Sequence, residues 1–324
     1  MPEEIVKNIY RLEIPLPSNP LRAVNSYVIK GDGRSLIVDT GMRRKECAEA
    51  MAEGLQALGI DLRECDFFIT HFHVDHFGLV SELFCEGSTV YLNGIEVDLF
   101  LTGSFSLTRI NALLHGFPEH ELQRAMDGHP GVRFGPRMDL PLTKTRHGQI
   151  IKAGDYAFEC VETPGHSFGH TCLYEADRKI LIAGDHILKG ITPNIGAWAD
   201  DWNPLDEYLE SLTQVARLDV GIVLPGHRSI FQDMRERIGE LREHHRERAE
   251  EVTRILRGGP RTAYEVASEM SWDIDYPSFD GFPLSQRWFA TGEALAHLKH
   301  LESHGIVARR KEERRRRDSI LWSR

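Results

Sequence analysis

Three histidines and an aspartate fall within six positions of the segment HFHVDHFGL, residues 71 to 79. His71 and His73 are two residues apart, so they point to the same side of an extended chain. Asp75 and His76 follow them and can reach a neighbouring position. Imidazole and carboxylate groups are the ligands that zinc and iron take in proteins. We therefore interpret this segment as a metal site, in preference to a buried polar cluster or a solvated turn.

Four further polar residues come directly after other apolar runs or turns. Asp39 follows the run 36–38, and Asp185 follows the run 182–184. His166 ends the turn TPGH, and His227 ends the segment LPGH. Loops at strand ends are where a rigid scaffold directs side chains into one volume. Because one cluster rarely completes a two-metal site, we expect these residues to join it.

The motifs that contain these residues resemble those of a known family. VDTG, THFHVDH, TPGHSFGHT, AGDHI and LPGH occur in this order between residues 25 and 230. The chain resembles a metallo-β-lactamase-fold hydrolase of the glyoxalase II-like type. This resemblance implies an α/β fold, the αββα sandwich, with the metals at one edge of two facing sheets.

The same resemblance implies a role for each candidate residue. One metal would be held by His71, His73 and His166, the other by Asp75, His76 and His227, and Asp185 would bridge the two. Asp39 would orient a ligand histidine through a hydrogen bond without touching a metal. His170 is expected to support the site or the core, because the seven other positions already complete the ligand set. Catalysis is expected to require Asp75 and Asp39.

The implied cofactor is a pair of divalent cations, with zinc expected and iron or manganese as options. Cations roughly 4 Å apart lower the pKa of a bridging water towards about 7, so the resemblance implies a metal-bridging hydroxide as the nucleophile. A serine or cysteine nucleophile is then unnecessary. Cys172, in the strand-like segment HTCLY, is expected to pack in the core.

Short apolar, β-rich runs must hold these residues in place. Such runs predict strands at 26–29, 36–38, 67–69, 89–91, 171–174, 180–182 and 222–224. Residues 43–58 and 205–217 have helical character. Strands mixed with helices in this number favour layered sheets that are covered by helices.

The chain is predicted to divide into a catalytic domain, 1–235, and a linker helix with a winged-helix-like domain, 236–324. Within the first, residues 95–126 are apolar but broken by glycine and proline, which predicts a helical insertion. It either caps the periphery or closes over a site as a lid. The long charged helix that starts near Ile230 is expected to leave His244 and His245 on a solvated face.

The C-terminal unit has the element order of a winged helix, with three helices followed by a β-hairpin. Residues 236–308 resemble the tail of β-lactamase-like proteins that include a mitochondrial endoribonuclease. The run 309–317 has seven positive and two negative residues, and Arg314, Arg315, Arg316 and Arg317 are candidate nucleic-acid contacts. A solvated hairpin tip with internal charge pairing is the competing interpretation.

The expected function is metal-dependent hydrolysis of a thioester or other acyl bond of a small molecule. Three alternatives stay open at the level of sequence. They are a phosphodiesterase or endoribonuclease that uses the basic wing, a mononuclear iron enzyme like the persulfide dioxygenases, and a non-catalytic ligand sensor.

Composition limits the partners. The 324 residues carry a formal charge of −10, which argues against nucleic-acid binding over the whole surface. Five cysteines without CxxC spacing favour a reducing cytoplasm. No apolar run approaches the roughly 18 residues of a membrane span. We therefore expect a cytoplasmic protein without a membrane partner, whose oligomeric state is open, with a homodimer as one option.

Overall fold

The computed structural model describes residues 1–102, 105–137, 139–273, 276–314 and 317–324. Within these ranges, every predicted apolar run overlaps a strand. The strands are β1 (Glu3–Val6), β2 (Ile9–Pro15), β3 (Ala23–Ile29), β4 (Ser35–Val38), β5 (Cys65–Phe68), β6 (Val90–Asn93), β7 (Leu142–Thr145), β8 (Ile150–Ala153), β9 (Tyr156–Glu162), β10 (Thr171–Glu175), β11 (Ile180–Gly184), β12 (Ile222–Pro225), β13 (Ala308–Arg314) and β14 (Arg317–Ser323).

Two sheets face each other in the described part of the chain. The first has the order β1-β2-β3-β4-β5-β6-β7, and the second has the order β12-β11-β10-β9-β8. Strands β4 to β7 pair in parallel, as do β11 and β12. The remaining neighbours in both sheets are antiparallel.

Alternate side chains of these strands pack on opposite faces. Leu36 and Val38 of β4 lie in the core between the sheets, together with Ile182 of β11. Ile37 points outward into a second core, and Leu181 points outward into a third. Each sheet is therefore apolar on both faces, which requires a covering layer on its outer side.

Helices supply these outer layers. Their bounds are α1 (Lys45–Leu58), α2 (Val74–Phe77), α3 (Val80–Leu83), α4 (Gly94–Thr102), α5 (Phe105–Leu114), α6 (Glu119–Asp127), α7 (Pro130–Phe134), α8 (Pro204–Val215), α9 (Met234–Ile255), α10 (Ala263–Glu269) and α11 (Leu284–Ser303), with 3₁₀ turns at Leu62–Glu64, Leu256–Gly258 and Phe279–Gly281. Apolar residues of α1 to α3 cover the first sheet, and those of α8 to α11 cover the second. The predicted αββα sandwich is confirmed. None of the helices in the described ranges has both the length and the apolar composition that a bilayer span requires.

Strands β1, β2, β7, β8 and β9 lie outside the predicted apolar runs. The sequence of β9, YAFECVE, alternates buried residues with more exposed ones. Phe158 and Cys160 are buried between the sheets, whereas Ala157 is exposed. Such strands contain no continuous apolar run, so a search for apolar runs misses them.

The predicted insertion is helical and lies between β6 and β7. Its helices, α4 to α7, extend from Gly94 to Phe134 and so continue beyond the predicted end at residue 126. Phe117 and Leu122 pack against Trp288 of α11. Because this contact lies against the C-terminal helices, part of the insertion serves as packing between two regions of the chain.

The C-terminal helices share one core with the second sheet. Leu181 and Val223 of that sheet belong to the same apolar cluster as Ile238, Ala267 and Leu298. This cluster is continuous across residue 235, where the predicted domain boundary lies. The elements after it have the predicted order of helices and hairpin, and their assignment as a winged helix stays a prediction.

One expectation for the charged helix is wrong. His245 is only 3% exposed and its Nδ1 lies 3.3 Å from Nε2 of His297. The helix α9 turns this face towards α11 instead of towards water, which a charge-rich sequence conceals.

Described basic side chains of the hairpin of β13 and β14 pair with acids of this chain, both inside and outside the hairpin. Arg309 contacts Asp200 and Glu302, and Lys311 contacts Asp318. Arg315 and Arg316 lie outside the described residues, and Arg314 is placed only by its backbone pairing with Arg317. The nucleic-acid contacts predicted for these four arginines therefore stay a prediction.

Candidate metal centre

Parallel strands bring the predicted residues to one edge of the sandwich. Asp39 directly follows β4, and the segment 71–76 follows the neighbouring strand β5. Asp185 directly follows β11, and His227 comes shortly after its parallel neighbour β12. The carboxyl ends of parallel strands meet at the same edge of a sheet, so these side chains converge. His166 joins them from the loop between β9 and β10.

The first ligand group consists of His71, His73 and His166. Nε2 of His71 lies 3.0 Å from Nδ1 of His73. The ring of His166 lies 4.9 Å from that of His71 and 4.6 Å from that of His73 between centroids. One ring nitrogen of each histidine lies within 4.8 Å of the corresponding nitrogens of the other two, which suits a shared cation.

The second ligand group consists of Asp75, His76 and His227. Oδ2 of Asp75 lies 3.4 Å from Nε2 of His227 and 4.0 Å from Nε2 of His76. His76 and His227 are fully buried, whereas the side chain of Asp75 is 14% exposed. This carboxylate is therefore the member of the group that solvent can reach.

Asp185 lies between the two groups. Its Oδ2 is 3.5 Å from Nε2 of His166 in the first group and 3.5 Å from Nε2 of His227 in the second. Its Oδ1 is 3.5 Å from Nε2 of His76. A single carboxylate thus faces histidines of both groups, and its role as a bridging ligand, which the family resemblance implies, stays a prediction.

The far nitrogen of four of these histidines is held by a hydrogen bond. Nδ1 of His76 lies 2.7 Å from Oδ2 of Asp39, and Nδ1 of His71 lies 2.9 Å from Oγ1 of Thr70. Main-chain carbonyls serve the other two, at 2.8 Å from Asn194 to His166 and 2.7 Å from Ala23 to His227. Each contact holds a ring proton on Nδ1 and directs Nε2 into the shared volume.

Asp39 organises three donors from an unusual backbone conformation. Its φ of +59° lies in the left-handed region, which aspartate tolerates better than most residues. Its carboxylate accepts hydrogen bonds from the backbone N–H and the hydroxyl of Thr70, both at 2.9 Å, as well as from His76. Because Thr70 in turn accepts from His71, Asp39 orients one histidine of each group.

Several inward-facing polar atoms are buried without a hydrogen-bond partner. They are Nε2 of His76, His166 and His227 and Oδ1 of Asp185. A buried polar atom without a partner costs about 1–3 kcal/mol, so a cluster of them requires compensation. Imidazoles and carboxylates that converge in this way fit divalent cations, which would replace any protons held there.

The two groups differ in charge. Burial lowers the pKa of His73 to about 3 and also lowers the pKa values of His71 and His166, so this group is neutral. Burial also opposes charge on His227, but Asp185 and Asp75 outweigh it and raise the pKa of His227 to about 10. His76 has a raised pKa for the same reason. Without a cation, protons therefore occupy the second group.

His170 and Cys172 lie where the sequence interpretation expects them. Nε2 of His170 accepts a hydrogen bond of 3.1 Å from the backbone N–H of Asp185, so it supports that residue instead of facing a cation. Cys172 is fully buried, and burial raises the pKa of its thiol to about 12. A protonated, inaccessible thiol cannot serve as a nucleophile.

Sequence reasoning missed Glu96, which connects the two ligand loops. This buried carboxylate of α4 accepts hydrogen bonds from the backbone N–H groups of Phe72, at 3.0 Å, and Gly169, at 2.7 Å. It also accepts one of 2.7 Å from the hydroxyl of Ser167. Glu96 is one of two acids in the apolar stretch IEVDLFL, and an acid in such a stretch was the available signal.

Comparisons with known proteins agree with this geometry. Residues 19–227 match the family model of the metallo-beta-lactamase superfamily, and residues 249–317 match that of the metallo-beta-lactamase-like C-terminal domain. A metallo-beta-lactamase family protein of Thermus thermophilus has a similar structure, with a TM-score of 0.81, 29% identity and 99% of each chain covered.

Relatives with assigned names extend the comparison. A probable metallo-hydrolase of Bacillus subtilis, YqjP, is 25% identical, covering 93% of this chain and 94% of its own. The bovine acyl-coenzyme A thioesterase MBLAC2 is 27% identical, covering 64% of this chain and 74% of its own. An atrochrysone carboxyl ACP thioesterase of Aspergillus fumigatus is 24% identical, covering 67% of this chain and 55% of its own.

The αββα sandwich, the two histidine and aspartate groups at its edge and the extent of the family match lead to one assignment. The chain belongs to the metallo-beta-lactamase superfamily and is a metallo-hydrolase of that superfamily.

Proposed function

We propose that this chain hydrolyses acyl thioesters of small molecules with the help of two divalent cations. The observation that carries the proposal is the position of Asp185, whose two carboxylate oxygens lie 3.5 Å from histidines of both ligand groups. One cation would be held by His71, His73 and His166, and the other by Asp75, His76 and His227. Zinc is the expected metal, because mixed imidazole and carboxylate ligands suit it.

When bound, the cations supply Lewis acidity for the attacked carbonyl and lower the pKa of water at the site. The protein supplies the orientation. Asp39 and Thr70 fix the rings of His76 and His71, and Glu96 holds the loops on both sides of the first group. Asp75 is partly exposed, and His76 and His227 lower its pKa against the effect of burial, so its ionised carboxylate is available to accept a hydrogen bond from the attacking water and orient it.

The names of two relatives support a thioester as the substrate. One is an acyl-coenzyme A thioesterase, and the other acts on an acyl group of a carrier protein by its name. The phosphodiesterase alternative draws less support, because described basic side chains of the hairpin already contact acids of this chain.

We also propose the division into a catalytic unit, 1–235, and a C-terminal unit, 236–324.

The test pairs metal analysis with a substrate panel. The purified protein should bind about two zinc ions and hydrolyse acetyl- and hexanoyl-thioesters, and Asp75→Asn should reduce the rate by about a hundredfold or more. Asp32→Asn, an exposed aspartate in a turn, is the matched control and should keep full activity.

Each alternative has its own outcome in this panel. Turnover of bis(p-nitrophenyl) phosphate or RNA without thioester turnover would favour the phosphodiesterase. A single bound iron with oxygen uptake on a glutathione persulfide would favour the dioxygenase. Two bound cations with no turnover of any class would reject the proposed reaction.

A further inference from the structure

One loop segment of the metal centre is held by hydrogen bonds to the C-terminal helices α9 and α11. The segment consists of residues 185–194, so it begins at Asp185 and ends at Asn194, whose carbonyl accepts the hydrogen bond from His166. We call it the 185–194 segment. It has no regular helix or strand after β11, so its shape depends on what it contacts.

Helix α9 holds the middle of the 185–194 segment. Arg237 is 8% exposed, and its guanidinium donates to the carbonyls of Leu188 and Ile191, each at 2.7 Å. Helix α8 holds the beginning, because the hydroxyl of Tyr208 donates to the carbonyl of His186 at 2.9 Å. Two separate helices thus satisfy carbonyls that the irregular backbone leaves without partners.

Helix α11 holds the end of the segment. Nδ2 of Asn194 donates to Oε2 of Glu293 at 3.3 Å, and Oε1 of Glu293 lies 3.5 Å from Nε of Arg248 on α9. The side chains of Arg248 and Glu293 are only 10% and 15% exposed. Arg248 is fixed in turn by Glu251 and by the carbonyl of Ser271, each at 2.6 Å.

We propose that Glu293 is a positioning residue of the metal centre, through which the C-terminal unit fixes the ligand His166. The path is short: Glu293 holds the side chain of Asn194, and the main chain of Asn194 holds Nδ1 of His166. This inference rests on the proposed metal site but not on the identity of the substrate.

Simple packing between helices does not account for this arrangement. A mostly buried ion pair gains little net stability over apolar residues of similar size, because desolvation of both charges offsets their attraction. On the same helix, Arg287 makes a comparable pair with Glu121, at 2.9 Å, that leads to the insertion and not to a ligand. The two pairs therefore allow a matched comparison between packing and ligand positioning.

The experiment compares Glu293→Ala, Asn194→Ala and Glu121→Ala in the full chain. Zinc affinity is measured by competition with a chelator, and the Co²⁺-substituted proteins are examined by visible absorption. We expect Glu293→Ala and Asn194→Ala each to weaken zinc binding about tenfold or more and to change the Co²⁺ spectrum. Glu121→Ala should lower the melting temperature but leave both measurements as in the wild type.

Two further variants identify the mechanism. Glu293→Gln keeps an oxygen that can accept from Asn194, so it should restore most of the affinity. The double variant of residues 194 and 293 should bind zinc no more weakly than either single one, because both changes break one path. Asn194→Ala, which alters no charge, serves as the test if Glu293→Ala does not fold.

Three results would overturn the inference. They are unchanged zinc affinity in Glu293→Ala, an equal loss in Glu121→Ala, and additive losses in the double variant. Each would leave the proposed function untouched, because the wild type would still bind metal and turn over thioesters. A wild-type protein that binds no cation would instead reject the metal assignment itself.

Discussion

At the scale of single residues, Asp39 controls the proton positions of the ligands. Its Oδ2 accepts from both the hydroxyl of Thr70 and Nδ1 of His76, which leaves Nε2 of His76 as the nitrogen that faces the shared volume. No ligand atom of the site belongs to Asp39 itself. Its effect on metal binding is therefore indirect, through the tautomer of its neighbour.

We predict that Asp39→Asn loses the second cation. Asparagine tolerates the left-handed backbone of this position, but its amide cannot accept hydrogen bonds at both ends. His76 would then carry its proton on Nε2, so metal stoichiometry should fall from about two to about one. Asp66→Asn is the control, because Asp66 pairs with Arg34 and accepts from the backbone of Thr89, away from the site. Equal metal content in both variants would contradict this role.

Metal binding should release protons from the second ligand group only. In the metal-free protein at pH 7, His76 and His227 hold protons because Asp185 and Asp75 raise their pKa values, that of His227 to about 10. Burial keeps the three histidines of the first group neutral. One binding event should therefore release about two protons and the other almost none.

Calorimetric titration with Zn²⁺ in two buffers of different ionisation enthalpy measures this release. Heats that do not depend on the buffer would speak against it. Asp185→Asn removes the carboxylate that raises both pKa values, so it should reduce the number of protons released.

The ligands could be predicted because the sequence itself carries their signal. HFHVDH, His166, Asp185 and His227 are recognisable by residue type, spacing and position after apolar runs. The carbonyls of Ala23 and Asn194 could not be predicted, because every residue has one. The role of Glu96 depends on where an insertion folds, which no local pattern records.

At the scale of elements, helix α4 ties the insertion to the ligand loops. Glu96 accepts from Phe72 on one loop and from Ser167 and Gly169 on the other. Helix α4, whose sequence is that of a peripheral cap, thus begins with a buried contact to the site. The sequence alone did not decide whether the insertion is a peripheral cap or a lid. The contacts of Glu96 show that the first turn of α4 is held against the ligand loops.

Glu96→Ala should destabilise the chain, since each buried donor left unpaired costs about 1–3 kcal/mol. Glu96→Gln keeps one carbonyl oxygen but sets an amide N–H against a donor, so it should lie between alanine and wild type. Urea unfolding measures both, with the exposed Glu86→Ala as the control. Unfolding free energies equal to that control would exclude the bridging role.

Strands could be predicted from the sequence where several consecutive residues are apolar and buried. Strands β4, β5 and β11 are apolar on both faces and stand out as runs. Strand β9 is not, and the face of α9 that carries His245 is set by α11, far away in sequence. Tertiary packing therefore decided the elements that sequence patterns missed.

At the scale of the whole molecule, the second sheet and the C-terminal helices share one apolar core. We predict that residues 1–235 alone do not fold into a stable protein, because Leu212 and Val223 would lose the cover that α9 and α11 provide. Circular dichroism with thermal melting tests this against the full chain. A cooperative transition in the fragment would show that the units are independent.

With both proposed cations bound, the metal centre would carry a charge opposite to that of the molecule around it. The chain has a formal charge of −10, whereas two divalent cations held beside the carboxylates of Asp75 and Asp185 would leave a surplus of positive charge. An anionic thioester would then be repelled at long range and attracted only at the mouth of the site. Because salt screens the long-range part first, moderate ionic strength should raise kcat/KM for coenzyme A thioesters and leave neutral thioesters unaffected. Such an enzyme would reach its highest kcat/KM for anionic substrates at an ionic strength that screens the negative surface charge but not the charge inside the site.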